Sequence, residues 1–126
     1  MRVLIAEDDR DAIMRIGILL RSEGHEVWSI RDALEVGDAV RDFRPQLVLL
    51  GTAMPERSGY EIAEELCREY GAACPVLVAL ADRTSPGERG RAEASGFQHL
   101  LAKPFEGEEL LALVELCGRE ALERQE

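Results

Sequence analysis

The stretch of sequence that decides the fold is Leu47-Val48-Leu49-Leu50-Gly51-Thr52-Ala53-Met54-Pro55. Its first four residues are apolar without interruption, and a short continuous run of this kind is typical of a strand buried on both faces of a parallel sheet. Four further short apolar runs occur at residues 3–6, 27–30, 76–80 and 99–102. The sequence therefore predicts five strands.

Segments with helical spacing of apolar residues follow each of these runs. The predicted helices cover residues 11–23, 32–43, 58–71, 85–95 and a last segment that begins after Phe105. Strand and helix thus alternate five times, which predicts an α/β fold with one parallel sheet covered by helices on both faces. The chain has 126 residues, so we expect residues 1–126 to form a single domain.

In sheets of this type, functional groups gather where loops leave the carboxyl ends of the strands. The loop after the first strand carries the acidic segment Glu7-Asp8-Asp9. The corresponding places after the third, fourth and fifth strands are residues 51–54, residues 80–82 and Lys103. We expect these four places to form one site.

The motifs at these places resemble the receiver domains of bacterial two-component response regulators. The resemblance rests on residues 3–9, on residues 47–55 with Gly59 beyond them, and on Lys103-Pro104-Phe105, and it covers essentially the whole chain. It implies the flavodoxin-like (βα)5 fold, which is doubly wound around a five-stranded parallel sheet.

The resemblance also implies a chemistry. Members of this family take a phosphoryl group from a histidine kinase onto an aspartate, which gives an aspartyl-phosphate. A magnesium ion held partly by an acidic pair bridges the phosphoryl oxygens to the protein. A lysine contacts the phosphoryl group as a point cation. Glu7 and Asp8 occupy the positions of the acidic pair, and Lys103 occupies the position of the lysine. Pro104 occupies the position of the proline that follows this lysine, whose peptide bond is usually cis in the family.

Three positions depart from the family pattern. The acceptor position, before Met54-Pro55, is Gly51, which has no side chain and cannot be a nucleophile. The position of the switch hydroxyl is Leu80, and that of the switch aromatic residue is Leu100. Because these departures agree with one another, we predict a pseudo-receiver that needs no phosphorylation and has no catalytic activity of its own.

A working phosphoacceptor of unusual kind is the first alternative. Thr52 is adjacent to Gly51 in the remnant of the phosphate pocket, but an alcohol needs a base to become a nucleophile. Asp9 and Asp82 lie on nearby predicted loops and would need a rearranged pocket.

Glu7 and Asp8 have two interpretations. They retain at most a weak, vestigial magnesium site, because the acceptor carboxylate is missing. Alternatively, they form a static ion-pair cluster with Lys103, which has no phosphate to bind. We favour the ion pair and expect no cofactor to be required.

The resemblance implies that partners dock on the face made by the fourth helix, fifth strand and fifth helix, roughly residues 85–124. The residues that we assign to this interaction face are Arg89, Arg91, Glu93, Leu100 and Arg119. A sensor kinase, an output domain or a second copy of the chain would be the partner. An ordinary solvated face is the alternative.

Composition limits the remaining classes of function. The formal net charge is −10, so we expect no direct contact with nucleic acid or with an anionic membrane.

The three cysteines, Cys67, Cys74 and Cys117, form no CxxC pair, and buried free thiols in a reducing cytoplasm are expected. A redox switch between Cys67 and Cys74 is the second alternative function. Trp28, in the second predicted strand, is expected to lie in the core.

Overall fold

A computed structural model of the chain describes residues 1–82 and 86–124. Its strands are β1 (Arg2–Ala6), β2 (Glu26–Ile30), β3 (Leu47–Gly51), β4 (Val76–Ala81) and β5 (His99–Ala102). All neighbouring strands are parallel, and their order in the sheet is β2-β1-β3-β4-β5. This is the doubly wound order of flavodoxin-like folds, in which the chain changes direction between the first and third strands. The predicted fold class is therefore confirmed.

The helices are α1 (Arg10–Ser22), α2 (Val36–Phe43), α3 (Gly59–Tyr70), α4 (Pro86–Ser95) and α5 (Gly107–Arg124). Within the residues described, no helix is long and apolar enough to cross a membrane. Residue 85, the predicted start of the fourth helix, lies outside the described residues. The fourth helix accordingly begins, as far as it is described, at Pro86.

The sheet separates two apolar layers, because successive residues of a strand point to opposite faces. On one face, Leu4 and Leu50 pack with side chains of α2 and α3, such as Val40 and Leu66. On the other face, the neighbouring strand residues pack against α1 and α5; these residues include Ile5, Leu49, Val78, Ile16, Leu20, Leu110 and Val114. The three central strands are therefore buried on both sides, as their continuous apolar runs predict.

The second predicted helix, residues 32–43, differs from the observed structure. The Asp32 side chain accepts a hydrogen bond from the backbone N–H of Leu34, and a short 3₁₀ turn (Ala33–Glu35) precedes α2. Leu34, which the helical pattern counts as an apolar face residue, is 68% exposed in this turn. The local Asp32 cap therefore overrides the helical spacing.

The prediction that Trp28 lies in the core is wrong, because its side chain is 44% exposed. Strand β2 is at the edge of the sheet, and Trp28 packs there against a single ring. Its indole stacks on Phe43 of α2 with a centroid distance of 4.3 Å and an interplanar angle of 12°. The sequence pattern of β2 does not reveal that it is an edge strand.

Replacement of Leu49 by alanine tests the two-sided burial of β3. Leu49 is 0% exposed, so Leu49→Ala is expected to lower the free energy of unfolding by about 2–5 kcal/mol. The matched control Leu34→Ala, at the exposed turn, should change it by no more than about 0.5 kcal/mol. Urea unfolding of both variants measures the difference, and equal losses would contradict the assigned burial.

Candidate functional site

The carboxyl edge of the sheet brings together the four places that the sequence selects. The strand register pairs Ala6 of β1 with Leu50 of β3, and Gly51 of β3 with Leu80 of β4. Glu7 follows β1 directly and Lys103 follows β5 directly. The site therefore lies at the switch point of the doubly wound sheet, between β1 and β3.

Glu7 is the centre of this site and is only 2% exposed. Its Oε2 accepts hydrogen bonds from the backbone N–H groups of Asp8 (3.0 Å) and Asp9 (3.1 Å). Its Oε1 accepts one from Nζ of Lys103 at 2.9 Å. A buried carboxylate is costly unless it is paired and hydrogen-bonded, and both oxygens of Glu7 meet that condition.

Lys103 is the only lysine in the sequence, and its side chain is 20% exposed. Burial acts to lower the pKa of Lys103. The hydrogen bond and negative charge of Glu7 outweigh burial, with smaller contributions from Asp82 and Asp9, so the pKa of Lys103 is raised above its ordinary value. Asp82 lies 3.8 Å from the ammonium group and is 74% exposed, so Glu7 is the main partner. The predicted ion pair with Lys103 is confirmed for Glu7 but not for Asp8, because among the described residues only Glu7 and Asp82 pair with Lys103. Asp8 contacts the site through its backbone N–H, which donates to Glu7.

Gly51 is packed directly against this ion pair. A Cβ atom placed on Gly51 would lie 2.7 Å from Oε1 of Glu7, shorter than real contacts of a Cβ atom, and 3.3 Å from Cδ of Glu7, which is a tight contact; the end of the Glu7 side chain would have to move to admit it. The side chain of Glu7 therefore occupies space that any residue larger than glycine at position 51 would enter. The backbone of Gly51 is also covered by Gly59, where a Cβ would collide with the Gly51 carbonyl oxygen.

Within residues 1–82 and 86–124, neither Thr52 nor Leu80 forms a hydrogen bond with Glu7 or Lys103. The Thr52 backbone N–H donates to the carbonyl oxygen of Leu80 at 3.1 Å, and the Thr52 hydroxyl lies 3.5 Å from the same oxygen. Leu80 is 1% exposed and belongs to the apolar layer under α1 and α5. Leu100 is half-buried against the opposite layer.

The loop after β5 is fixed on both sides of Pro104. The Lys103–Pro104 peptide bond is cis, as the resemblance implies. The backbone N–H of Lys103 donates to the carbonyl oxygen of Ala81 at 2.7 Å. A guanidinium nitrogen of Arg15 donates to the carbonyl oxygen of Phe105 at 2.6 Å, and the group lies 4.9 Å from the Phe105 ring centroid. These contacts hold Lys103 over Glu7.

The donor atoms do not fit a magnesium ion. Magnesium requires a near-octahedral set of oxygen ligands, usually including one or two carboxylates. Both oxygens of Glu7 are engaged by hydrogen bonds, and Gly51 supplies no carboxylate. Across residues 1–82 and 86–124, no group of three or more His, Cys, Asp or Glu side chains is arranged to hold a metal ion.

The assigned interaction face is divided in the structure. Arg89, Glu93 and Leu100 line one groove with a volume of about 330 Å³ between α4, β5 and α5. Arg91 instead lies over the ring of Tyr60 in α3, 4.1 Å from its centroid. Arg119 lies 3.6 Å from Glu115 on the exposed side of α5 and does not reach the groove.

Tyr60 is a residue of this region that the sequence reasoning missed. Its hydroxyl donates to Glu88 of α4, and its ring meets Phe97 edge-on at a centroid distance of 6.2 Å. Together with the contact to Arg91, these interactions connect α3 to α4. The partners lie 28 to 37 residues away along the chain, so no local pattern indicates them.

The family model named "Response regulator receiver domain" matches residues 3–115 of the chain. The chain belongs to this family. Receiver domains of response regulators act in two-component signalling, and the predicted family is thereby confirmed.

Curated relatives include the response regulator MprA of Mycobacterium sp. (strain KMS), which is 36% identical over 89% of the chain and 48% of its own length. The DNA-binding response regulator MtrA of Mycolicibacterium paratuberculosis is 32% identical over 90% of the chain and 49% of its own length. The chain thus spans about half the length of these relatives. The DNA binding stated in the name of MtrA is a property of that longer protein.

Solved structures share the fold. The chemotaxis protein CheY4 of Vibrio cholerae superposes with a TM-score of 0.86 at 23% identity, covering 92% of the chain and 97% of CheY4. NtrX of Brucella abortus gives a TM-score of 0.88 at 22% identity, covering 98% of the chain and 29% of NtrX. At these identities the likeness concerns the fold alone.

The single lysine allows a direct test of the ion pair by NMR, because isotope-labelled lysine gives one side-chain signal. We expect the pKa of Lys103 to lie above the ordinary 10.5 in the native protein. In Glu7→Gln the pKa should be lower, because Lys103 loses its closest anion while burial still lowers its pKa. Because the folded-state pKa is raised, the stabilisation by this lysine is complete below the unfolded pKa and is lost as pH rises through the folded pKa.

Asp82→Asn serves as the matched control for this titration. It removes an exposed carboxylate at 3.8 Å, so its effect on the pKa of Lys103 should be smaller than that of Glu7→Gln. Similar shifts in both variants would show that Glu7 is not the main partner.

Proposed function

We propose that this receiver domain signals without being phosphorylated and acts through contacts with other proteins. One observation carries the proposal: position 51 holds a glycine, and the ion pair of Glu7 with Lys103 occupies the space beside it. An aspartyl-phosphate requires a carboxylate nucleophile at that place. The chain has none there.

The neighbouring carboxylates are poor substitutes for the missing aspartate. Glu7 is buried, and its attack on a phosphodonor would first require release from Lys103. Asp9 caps α1, where its side chain accepts hydrogen bonds from the backbone N–H groups of Asp11 and Ala12. Asp82 is exposed, and its Oδ1 lies 3.8 Å from Nζ of Lys103. These engagements support a site without phosphoryl transfer.

The same ion pair gives Lys103 a permanent anionic partner. The carboxylate of Glu7 lies 2.9 Å from the ammonium group in the resting chain. With leucine at positions 80 and 100, no hydroxyl is present at the switch position to respond to a phosphoryl group. We infer one constitutive state of the site, with no catalytic activity, no required cofactor and at most weak magnesium affinity.

The groove lined by Arg89, Glu93 and Leu100 is the contact surface that we favour. Its lining includes the cation Arg89, the anion Glu93 and apolar side chains such as Leu100 and Leu113. The partner is a sensor kinase, an output domain or a second copy of the chain. Direct contact of this domain with nucleic acid is disfavoured by its net charge of −10.

A redox function is less well supported. Cys67, Cys74 and Cys117 are all free thiols. Burial, with a smaller effect of the neighbouring Cys67, raises the pKa of Cys74 to about 12, and burial likewise raises that of Cys117 to about 12. The thiolate is the reactive form, so these two cysteines are unreactive at neutral pH. Free thiols suit a reducing cytoplasm, where we propose that the domain works.

Treatment with acetyl phosphate and magnesium, followed by intact-mass measurement, tests the proposal. We expect no phosphoryl adduct on the unaltered chain. In Gly51→Asp the new side chain meets Glu7, so an adduct should form poorly; in Gly51→Asp combined with Glu7→Asp, the shorter carboxylate leaves room and the adduct should increase. A base-labile adduct on the unaltered chain would contradict the proposal, and mapping it would identify the acceptor.

Sedimentation at increasing concentration tests the homodimer form of the interaction. If Arg89 of one copy pairs with Glu93 of another, Arg89→Glu should weaken self-association, and the charge swap Arg89→Glu with Glu93→Arg should restore it. Arg119→Glu, outside the groove, is the matched control and should have no effect. Monomeric behaviour of the unaltered chain at all concentrations would rule out the homodimer and leave another protein as the partner.

A further inference from the structure

A second groove lies at the opposite edge of the sheet, where the strands begin. Its volume is about 560 Å³, and it is bounded by the end of α2, the connection from α3 to β4, and the end of α5. Strands of five residues place it roughly 15 Å from the ion pair of Glu7 with Lys103. Neither the proposed pseudo-receiver site nor the groove beside Leu100 includes any of its residues.

The charge of this groove is opposite to that of the chain. Four arginines line it: Arg2, Arg41, Arg44 and Arg124. Acidic residues outnumber basic ones in the sequence by 25 to 15, yet no described aspartate or glutamate is among the lining residues. A local concentration of cations in so acidic a chain favours an anionic ligand.

Among the described residues, three of these arginines have no carboxylate partner. Arg41 pairs with Asp38, whereas within residues 1–82 and 86–124 no carboxylate oxygen lies within 4.0 Å of Arg2, Arg44 or Arg124. These guanidinium groups therefore retain donors for a ligand, since each has five N–H donors.

The backbone holds two of these side chains at the groove. Nε of Arg2 donates to the carbonyl oxygen of Arg44 at 2.7 Å, and a guanidinium nitrogen of Arg124 donates to the carbonyl oxygen of Cys74 at 2.5 Å. Arg44 itself ends α2 in the left-handed conformation, with φ of 51°. Arginine side chains that are already held by hydrogen bonds lose less conformational entropy on binding a ligand than free surface arginines do.

The remaining lining is apolar and includes an aromatic ring. Tyr70 is half-buried, and Pro45, Pro75 and Val40 form the wall near it. A flat ring fits against tyrosine and proline surfaces, while the arginines provide bidentate sites for phosphate oxygens. The volume lies within the usual range for small-molecule sites.

We propose that this groove binds an organic phosphate of about mononucleotide size, with its phosphate groups on Arg2, Arg44 and Arg124 and its ring against Tyr70. The net charge of −10 selects a small ligand over an acidic protein. An acidic protein would meet the repulsive outer surface of the chain, whereas a small anion experiences mainly the local field of the groove.

Calorimetric titration of the whole chain with ADP, in the presence of a chelator and at low ionic strength, tests the proposal. We expect one saturable site. Pyrophosphate, which lacks the ring, and adenosine, which lacks the phosphates, should each bind more weakly than ADP. Equal binding of pyrophosphate would overturn the role of the ring, and equal binding of adenosine would overturn that of the arginines.

Arg44→Asn is the central variant, because asparagine tolerates the left-handed backbone of this position and removes the charge. Its affinity for ADP should fall about tenfold, the size expected for loss of hydrogen bonds from a charged group. Arg124→Gln, on the opposite wall, should weaken binding similarly. The matched control Arg10→Gln, an exposed arginine of α1 outside the groove, should leave the affinity unchanged.

Three outcomes would overturn the inference. The first is the absence of saturable ADP binding by the unaltered chain. The second is loss of binding in the double variant Glu7→Gln with Lys103→Met, which leaves no unpaired buried charge, together with retention of binding in Arg44→Asn; this would place the nucleotide at the carboxyl edge of the sheet. The third is competition by an acidic peptide such as hexaglutamate that displaces ADP and binds more tightly than ADP. That result would make the groove a protein-docking site.

Discussion

The two-sided burial of β1, β3 and β4 is the constraint on which the rest of the structure depends. Their apolar side chains are 0–3% exposed from Val3 to Ala6, from Leu47 to Leu50 and from Val76 to Ala81. Strands of this kind require a helical layer on each face, and parallel strands require a crossover helix between them. The burial therefore fixes the doubly wound order and aligns the carboxyl ends of all strands at one edge.

That alignment brings the charged residues of two distant segments into contact. Glu7 and Lys103 are separated by 96 residues but follow β1 and β5 on the same edge of the sheet. A buried carboxylate needs partners, and in this chain the lysine and two backbone N–H groups supply them. The glycine at position 51 makes room for this arrangement. The site that would hold a phosphoryl group in a receiver domain thus contains its own neutralised ion pair.

The two edges of the sheet differ in chemistry for the same reason. The carboxyl edge collects the acidic segment after β1 and the single lysine after β5, whereas the amino edge collects arginines at or near the ends of distant elements. The side chains of Arg2 and Arg124 donate to backbone carbonyl groups, and among the described residues neither pairs with a carboxylate. The molecule consequently presents a closed polar site at one edge and an open cationic groove at the other.

The sequence by itself determined the five strands, the five helices, the parallel sheet and the missing side chain at position 51, because apolar periodicity and residue identity act over short distances along the chain. The sequence pattern also indicated that Glu7 and Lys103 would pair, since both follow strands of one sheet. Only the tertiary structure decided that Trp28 lies at an exposed edge, that Arg91 turns to Tyr60 and away from the Leu100 groove, and that four arginines share one groove. Each of these depends on which elements become neighbours through crossovers, and that information is not contained in any local stretch of sequence.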